Sequence, residues 1–565
     1  ISSTTVIQDN LNEFPPDFIE FDQALNSGNI EFHTNHTSQS FLNTVSSGGG
    51  FTFEQNGIKR PLIYSASSDI LGTTVNGNIL GMVGLFNVSQ VTGPYCAPGD
   101  YSLEVMDKYS RGYLVTQEMI ETHLSEITAG NPNYKIPFGI REWPAHGDAT
   151  LGQAANLAGF FDQNGNGIYE PELGDYPSIY GDQCLLNIYH QHPNSPNSAS
   201  IETHQYYFTF DCDSSETLNN TVFIRTDNFT RNQTFFNAYE GDRVDFEIGS
   251  PFDDYIGTNV ELGMIYGYNA DNNDASPLPN TGFNDTIPAA GMIALQGLNL
   301  QEDGIDNFTT YIGGVQSNGI GFADGIVDNE YFTLESSYSY DSPSGAYPTD
   351  LVSMENVMKG LYPDGLPKSI GNVDIRHDYF GSSDPLFYSS FGTDHGNDNS
   401  ELGNLNPSGD RRMSSASGPG LLIPTDTAVL LKAYVVGVDA INLSPSNSVD
   451  RLFEHGQVLR DAYAQNALSC GNTFDTYVSS SVLSVEEETV TQIVAYPNPA
   501  NQQIQFNGIT GVASITIFDL NGRIVIYDEG INDHQAIDVS PLDKAVYFIQ
   551  IDDENGSQTI RMIKQ

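Results

Sequence analysis

Short runs of β-forming residues, each closed by glycine, asparagine, aspartate or proline, set the tightest limit on what this chain can fold into. Tyr206 to Phe210 (YYFTF), Thr221 to Arg225 (TVFIR), Val244 to Ile248 (VDFEI) and Val429 to Val436 (VLLKAYVV) are examples. Branched and aromatic side chains suit a pleated, half-buried surface, and the residues between the runs supply turns. Only two stretches read as helix. Thr116 can cap one that carries Ile120, Leu124 and Ile127 on one face; a second begins near Ser448 and carries Val449, Leu452, Leu459 and Tyr463, with Gly456 as an internal weakness. Neither alternates with strands as a βαβ series would, and no fixed period repeats. The pattern therefore predicts a mainly β fold, a β-sandwich or jelly-roll body with few short helices.

Charge narrows the setting. With 72 Asp and Glu against 21 Lys and Arg, the formal net charge is −51, which repels nucleic acid and anionic membranes and excludes both as partners. Such acidity suits a salty medium or bound cations. The chain is nevertheless rich enough in core material, with 31 Phe and 30 Tyr, to fold rather than stay an acidic disordered tail. No apolar run approaches a transmembrane segment in length. The sequence opens at Ile1 without a basic or apolar leader, as expected of a mature exported product. Cys96, Cys184, Cys212 and Cys470 allow three pairings; one or two disulfides are expected, with Cys184 to Cys212 preferred as a bridge between neighbouring strands.

The clearest boundary is the polar, acidic stretch 476–492, which includes Glu486-Glu487-Glu488 and reads as a linker. Before it, a looser cut separates an N-terminal mainly β region, 1–215, from a second, 216–475, with one sheet shared by the two halves as the alternative. After it, 493–565 reads as a small Ig-like β-sandwich: Ala513 to Phe518 (ASITIF) and Ala545 to Ile551 (AVYFIQI) alternate like half-buried strands, and Asn521-Gly522 favours a tight hairpin.

That last segment combines Tyr496-Pro497-Asn498-Pro499, the turn Asp519-Leu520-Asn521-Gly522-Arg523, a late strand and a basic terminus at Lys564. Together they resemble the type A C-terminal sorting domain of proteins exported by the Bacteroidota type IX secretion system. The resemblance implies a secreted, extracellular or outer cell-surface protein, with the type IX translocon and outer-membrane shuttle proteins as partners. Four stretches of the body, REWPAHGD (141–148), FDQNGNGIYEPELGDYPSIYGDQ (161–183), DGIVDNE (324–330) and GDRR (409–412), resemble a region recurrent in large secreted Bacteroidota proteins. That resemblance implies location and no particular reaction.

Calcium is the cofactor these residues suggest. In Asp162-Gln163-Asn164-Gly165-Asn166-Gly167-Ile168, oxygen side chains at alternate positions precede a glycine, and Ile168 can offer its carbonyl, as in a loop that wraps a hard cation. An EF-hand needs Glu at the twelfth position, where Leu173 stands, so Glu170, Glu172 or Asp175 would close the shell. A second constellation comprises Asp245, Glu247, Asp253 and Asp254, followed by Asn269, Asp271 and Asp274; Asp245 and Glu247 share a face if their run is a strand. Asp324, Asp328 and Glu330 form a third.

Catalytic motifs are thin. There is no GxSxG, HExxH, Walker loop or dinucleotide fingerprint. His190, His192 and His204 could meet as metal ligands, and His146 with Asp148 beside Trp143 could form an acid–base pair, although surface histidines and an indole-anchored turn describe the same residues. Asp285-Thr286 and Asp426-Thr427 resemble the short acceptor pattern for O-linked glycans in Bacteroidota. The sequence thus leads to a calcium-stabilised structural or adhesive extracellular protein capable of self-assembly, with a secreted hydrolase of polysaccharide or protein as the alternative.

Overall fold

The computed structural model describes residues 23–479 and 493–564, except 36, 44–47, 84–89, 98, 192–198, 278–280, 285, 301, 303, 309, 313–314, 317–318, 341–347, 349, 371–372, 379–399, 402–404, 425, 440, 442–443, 520–522 and 554–555. Two compact units result, Ile1–Ser479 and Ser480–Gln565.

The larger unit is a sandwich of two antiparallel sheets. One runs in the order Gln23–Ser27, Ile30–Thr34, Gln39–Ser40, Ile58–Thr73, Phe235–Phe246, Arg411–Leu422, Ser336–Ser339. The other runs Tyr113–Thr116, Gln183–Gln191, Ile201–Thr209, Thr221–Thr230, Ala428–Gly437, Ala289–Gln296, Met264–Asn269, Asp254–Asn259. All four runs singled out in the sequence fall on strands, although Ile201–Thr209 stops short of Phe210 and Phe235–Phe246 short of Glu247. Between the sheets lies one apolar cluster in which Phe51, Ile63, Val244 and Phe246 of the first, with Phe41 from the bend after Gln39–Ser40, meet Tyr207, Val222, Ile265 and Tyr434 of the second. Phe41 sets its ring edge-on to Tyr434 at 4.7 Å and to Phe51 at 5.0 Å, geometry that aromatic quadrupoles favour.

Strands from both sides of residue 215 interleave in both sheets, so the expected cut at 215/216 falls inside a single unit. Phe235–Phe246, for instance, pairs with Ile58–Thr73 on one side and Arg411–Leu422 on the other. Turn signals mark where strands end; they carry no record of which strands later pair.

Helix Gln117–Ala129 starts as expected, with Thr116 Oγ1 accepting from Met119 N at 3.1 Å. The long helix Pro445–Gln465 packs on strands Met264–Asn269, Ala289–Gln296 and Ala428–Gly437. Gly456, read as a weakness, is the point of closest approach: a Cβ there would lie 2.8 Å from Met264 Cε. A helix absent from the sequence reading, Leu351–Met358, is fixed by a capping box between Asp350 and Ser353.

The expected Cys184–Cys212 bond is replaced by Cys212–Cys470, with Cα atoms 6.0 Å apart. Cys184 stands opposite Phe208 in the ladder, whereas Cys212 lies beyond the end of strand Ile201–Thr209 and so cannot face it. Cys96 and Cys184 are buried free thiols.

The smaller unit stacks a three-stranded sheet (Val494–Tyr496, Gln503–Asn507, Ala536–Asp538) and a four-stranded one (Ile524–Ile531, Ala513–Phe518, Val546–Asp553, Gly556–Ile563) around Ile504, Phe506, Ile515, Ile517, Ile549 and Ile551. It is a small antiparallel β-sandwich with its own core. Among the described residues no helix is long and apolar enough to cross a membrane.

Candidate functional site

Residues 162–175 form an exposed loop built on side-chain-to-backbone hydrogen bonds. Asp162 takes the N–H groups of Gly165 at 2.7 Å and Gly167 at 2.6 Å; Asn164 takes that of Asn166 at 3.0 Å, and Asn166 that of Ile168 at 2.7 Å. Gly165 and Gly167 have φ of 71° and 76°, which a side chain would strain. The amides of Asn164 and Asn166 both donate to Glu170 Oε2, at 3.3 and 2.5 Å. Those backbone donors, Gly167 first, hold the Asp162 carboxyl below its usual range despite opposing desolvation. Buried Asp175 joins the loop's ends, accepting from Gln163 N at 2.8 Å and Glu170 N at 2.7 Å. Asp162, Asn164, Asn166 and Glu170 are thus brought together, while Glu172 lies exposed on the turn Pro171–Leu173.

The same loop rests on the REWPAHGD stretch. His146 Nε2 accepts from Tyr169 N at 3.1 Å, and Tyr169 Oη donates to Ile140 O at 2.5 Å. The Trp143 indole donates to Gly159 O at 2.9 Å, and Asp148 accepts from the backbone and hydroxyl of Thr150. His146 and Asp148 therefore anchor turns, and the two body stretches form one local structure.

The second constellation divides. Asp245 ion-pairs with Arg412 at 3.0 Å. Strand Phe235–Phe246 ends before Glu247, but the burial alternation continues through it, keeping Asp245 and Glu247 on one side. Burial first, then Asp245 and Asp410, raise Glu247 to about 7. Asp254 and Asp274 are fully enclosed. Burial pushes Asp254 well above the usual carboxylate range and Asp274 to about 6, although Asp274 accepts from Ser250 N at 3.0 Å and Phe283 N at 2.6 Å.

In the third group Asp324 and Asp328 are joined by a residue the sequence reading passed over. Gly325 N donates to Asp306 at 2.6 Å while Gly304 N donates to Asp328 at 2.9 Å, so two Gly-Ile loops cap each other. The recurrence of Gly-Ile at 304–305 and 325–326 was the available signal. Glu330 accepts from Asn307 N. Among the described residues no three His, Cys, Asp or Glu side chains converge in metal-binding geometry, so a ligand set would have to be completed by amide, backbone or water oxygens.

The two described histidines take separate partners. His190 Nδ1 pairs with Gly93 O at 2.8 Å, His192 lies outside the described residues, and His204 Nε2 meets Glu202 at 2.8 Å. Glu202, unremarked in the sequence, is wholly buried; burial works against its charge, but His204 and Arg231 hold it at about 2. A cleft of about 490 Å³ is lined in part by Asn228, Thr230, Glu302, Asp328, Asp426 and Thr427.

In the smaller unit Asn498 ties the YPNP opening to the last strand: Nδ2 donates to Arg561 O at 2.7 Å and Oδ1 accepts from Ile563 N at 2.9 Å. Pro497 and Pro499 flank it, Tyr496 Oη pairs with His534 Nδ1 at 2.9 Å, and Lys564 bridges to Ala500. Asp519 and Arg523 close the turn by an ion pair of 3.0 Å; Gly522 lies outside the described residues.

Residues 494–565 match the family described as the secretion system C-terminal sorting domain, so the chain is type IX secretion cargo, exported to the medium or the cell surface and handled by that machinery. No curated protein matches the chain. Solved structures similar to it include a polysaccharide lyase (7% identity, 72% of this chain and 38% of that one, TM-score 0.13). Another is PorZ, described as an essential surface component of the type IX secretion system of Porphyromonas gingivalis (9% identity, 96% and 51%, TM-score 0.12). The chain spans about two fifths to a half of the length of those structures.

Proposed function

We propose that the exported body is a calcium-stabilised structural or adhesive element at the cell surface or in the medium, capable of self-assembly through divalent ions. The observation that carries this reading is the 162–170 loop, where Asp162, Asn164, Asn166 and Glu170 gather oxygen ligands at the spacing of a hard-cation loop. A net charge of −51 keeps copies apart until cations bridge them. The tail would meet the translocon and outer-membrane shuttle proteins through its folded surface.

The test is light scattering and thermal unfolding of the full chain over a calcium titration, with EGTA as reference. Growth of assemblies and a higher melting temperature with calcium support the reading, and an unchanged monomer sinks it. The hydrolase alternative would use the cleft at Glu302, Asp328 and Asp426, where three acids line one opening. Release of reducing ends or peptides from a substrate panel, abolished by Glu302→Gln, would favour it over the structural role.

A further inference from the structure

The open end of one hairpin encloses acceptor oxygens on two directly opposed residues. Asp254 and Asn269 are directly opposed across the antiparallel pair Asp254–Asn259 and Met264–Asn269, and both are 0% exposed. Opposed residues share a face, with Cβ atoms about 4.5–5.5 Å apart. Asp254 Oδ2 accepts from Ile248 N at 3.1 Å, while Asn269 Nδ2 donates to Asp271 O at 2.9 Å. That leaves Asp254 Oδ1 and Asn269 Oδ1 buried, and among the described residues no donor reaches either. Turning the Asn269 amide over would offer Asp254 a donor but set an oxygen against the Asp271 carbonyl, so the conflict moves rather than resolves. Asp253 contributes a third buried oxygen without a donor, Oδ1, and its own carbonyl is fixed by Ala270 N at 2.8 Å.

The surroundings are built to hold this arrangement. Asp274 sits behind it, pinned by Ser250 and Phe283, and Gly249, at a φ of 75°, leaves room for it: a Cβ there would lie 2.0 Å from Asp274 Oδ2. Among the described residues no Lys or Arg ion-pairs with Asp253 or Asp254, while Asp274 and Glu247 add negative charge nearby. Three buried oxygens with no donor match a hard cation that takes oxygen ligands only.

We propose that Asp253, Asp254 and Asn269 bind a calcium ion through their Oδ1 atoms at the end of this hairpin, with Asp274 as the residue that positions the loop behind it. The site is separate from the 162–170 loop and does not depend on the structural role proposed above.

The experiment is calorimetric titration of the chelator-treated full chain with calcium, paired with melting curves in EGTA. Asp254→Asn is expected to remove one class of calcium sites, or weaken it by about tenfold or more, and to leave the class removed by Asp162→Ala intact. Full calcium stoichiometry and affinity in Asp254→Asn overturn the proposal and assign the space to a proton shared by Asp254 and Asn269. Should Asp254→Asn not fold, Asn269→Asp decides: tighter calcium binding with a lower melting temperature in EGTA supports the metal, and unchanged affinity overturns it.

Discussion

The 162–175 loop and the Asp254–Asn269 hairpin end draw on the same residue types and reach opposite electrostatic states. In the loop, exposed carboxylate and amide oxygens collect backbone N–H groups, so negative charge is stabilised and Asp162 is held down. At the hairpin end, enclosed oxygens find too few donors, and burial drives Asp254 up. Glu202 shows what resolves a buried acid when the chain supplies its own cation: equally buried, it is held at about 2 by His204 and Arg231. An acidic sequence therefore says little about charge until the donors around each oxygen are known.

The largest effect expected is on Glu202. Its folded value lies below the ordinary carboxylate value of 4.5, so its contribution is present above that pH and is lost as pH falls toward 2. Glu202→Gln leaves Arg231 and His204 without their buried anion and should cost about 3–5 kcal/mol at neutral pH. Urea unfolding from pH 7 to 3 checks this, since the variant should also lose much of the wild-type acid sensitivity.

Next comes Asp175→Ala, which strips the acceptor from two N–H groups at the base of the loop. A cost of about 2–4 kcal/mol is expected, read by the same unfolding assay; a loss below about 0.5 kcal/mol would mean water replaces the carboxylate freely.

The sharpest contrast is one of sign. In EGTA, Asp254→Asn should raise the melting temperature, because it replaces a buried acid that has too few donors by an amide that can donate, whereas Asp162→Asn should lower it, because it weakens an acceptor already satisfied. Shifts in the same direction would break the comparison between the regions. The smallest effect belongs to the tail, where Asn498→Ala loses two partly exposed hydrogen bonds worth about 1 kcal/mol. Export measured by the share of protein in the medium should fall if the YPNP tie is part of what the machinery reads.

Much of the fold was legible because strands announce themselves locally. Val244 to Ile248 alternates, Thr116 precedes a helical face, and the tail's turn and strands stand in order. Pairing was not legible, because register is decided by distant partners: nothing near Cys212 indicates Cys470, and nothing near Glu240 and Asp242 indicates that both meet Lys432 between the sheets. For the candidate sites, spacing identified the loop residues but not that Asp175 would clamp its ends. The acid cluster was visible as composition, yet the role of Asn269 emerged only from its position opposite Asp254.

The Cys212–Cys470 bond joins residues 258 positions apart and lies just before the chain leaves the larger unit at Ser479. Its consequence is mechanical. Any pull delivered through the tail, during export or after attachment to a surface, passes at Cys470 into the covalent bridge and on to the middle of the chain. The intervening segment, including strands Thr221–Thr230, Arg411–Leu422 and Ala428–Gly437 and the helix Pro445–Gln465, stays off the load path. Under tension the oxidised protein should extend by far less than its length allows, and reduction should release the hidden slack in single-molecule stretching.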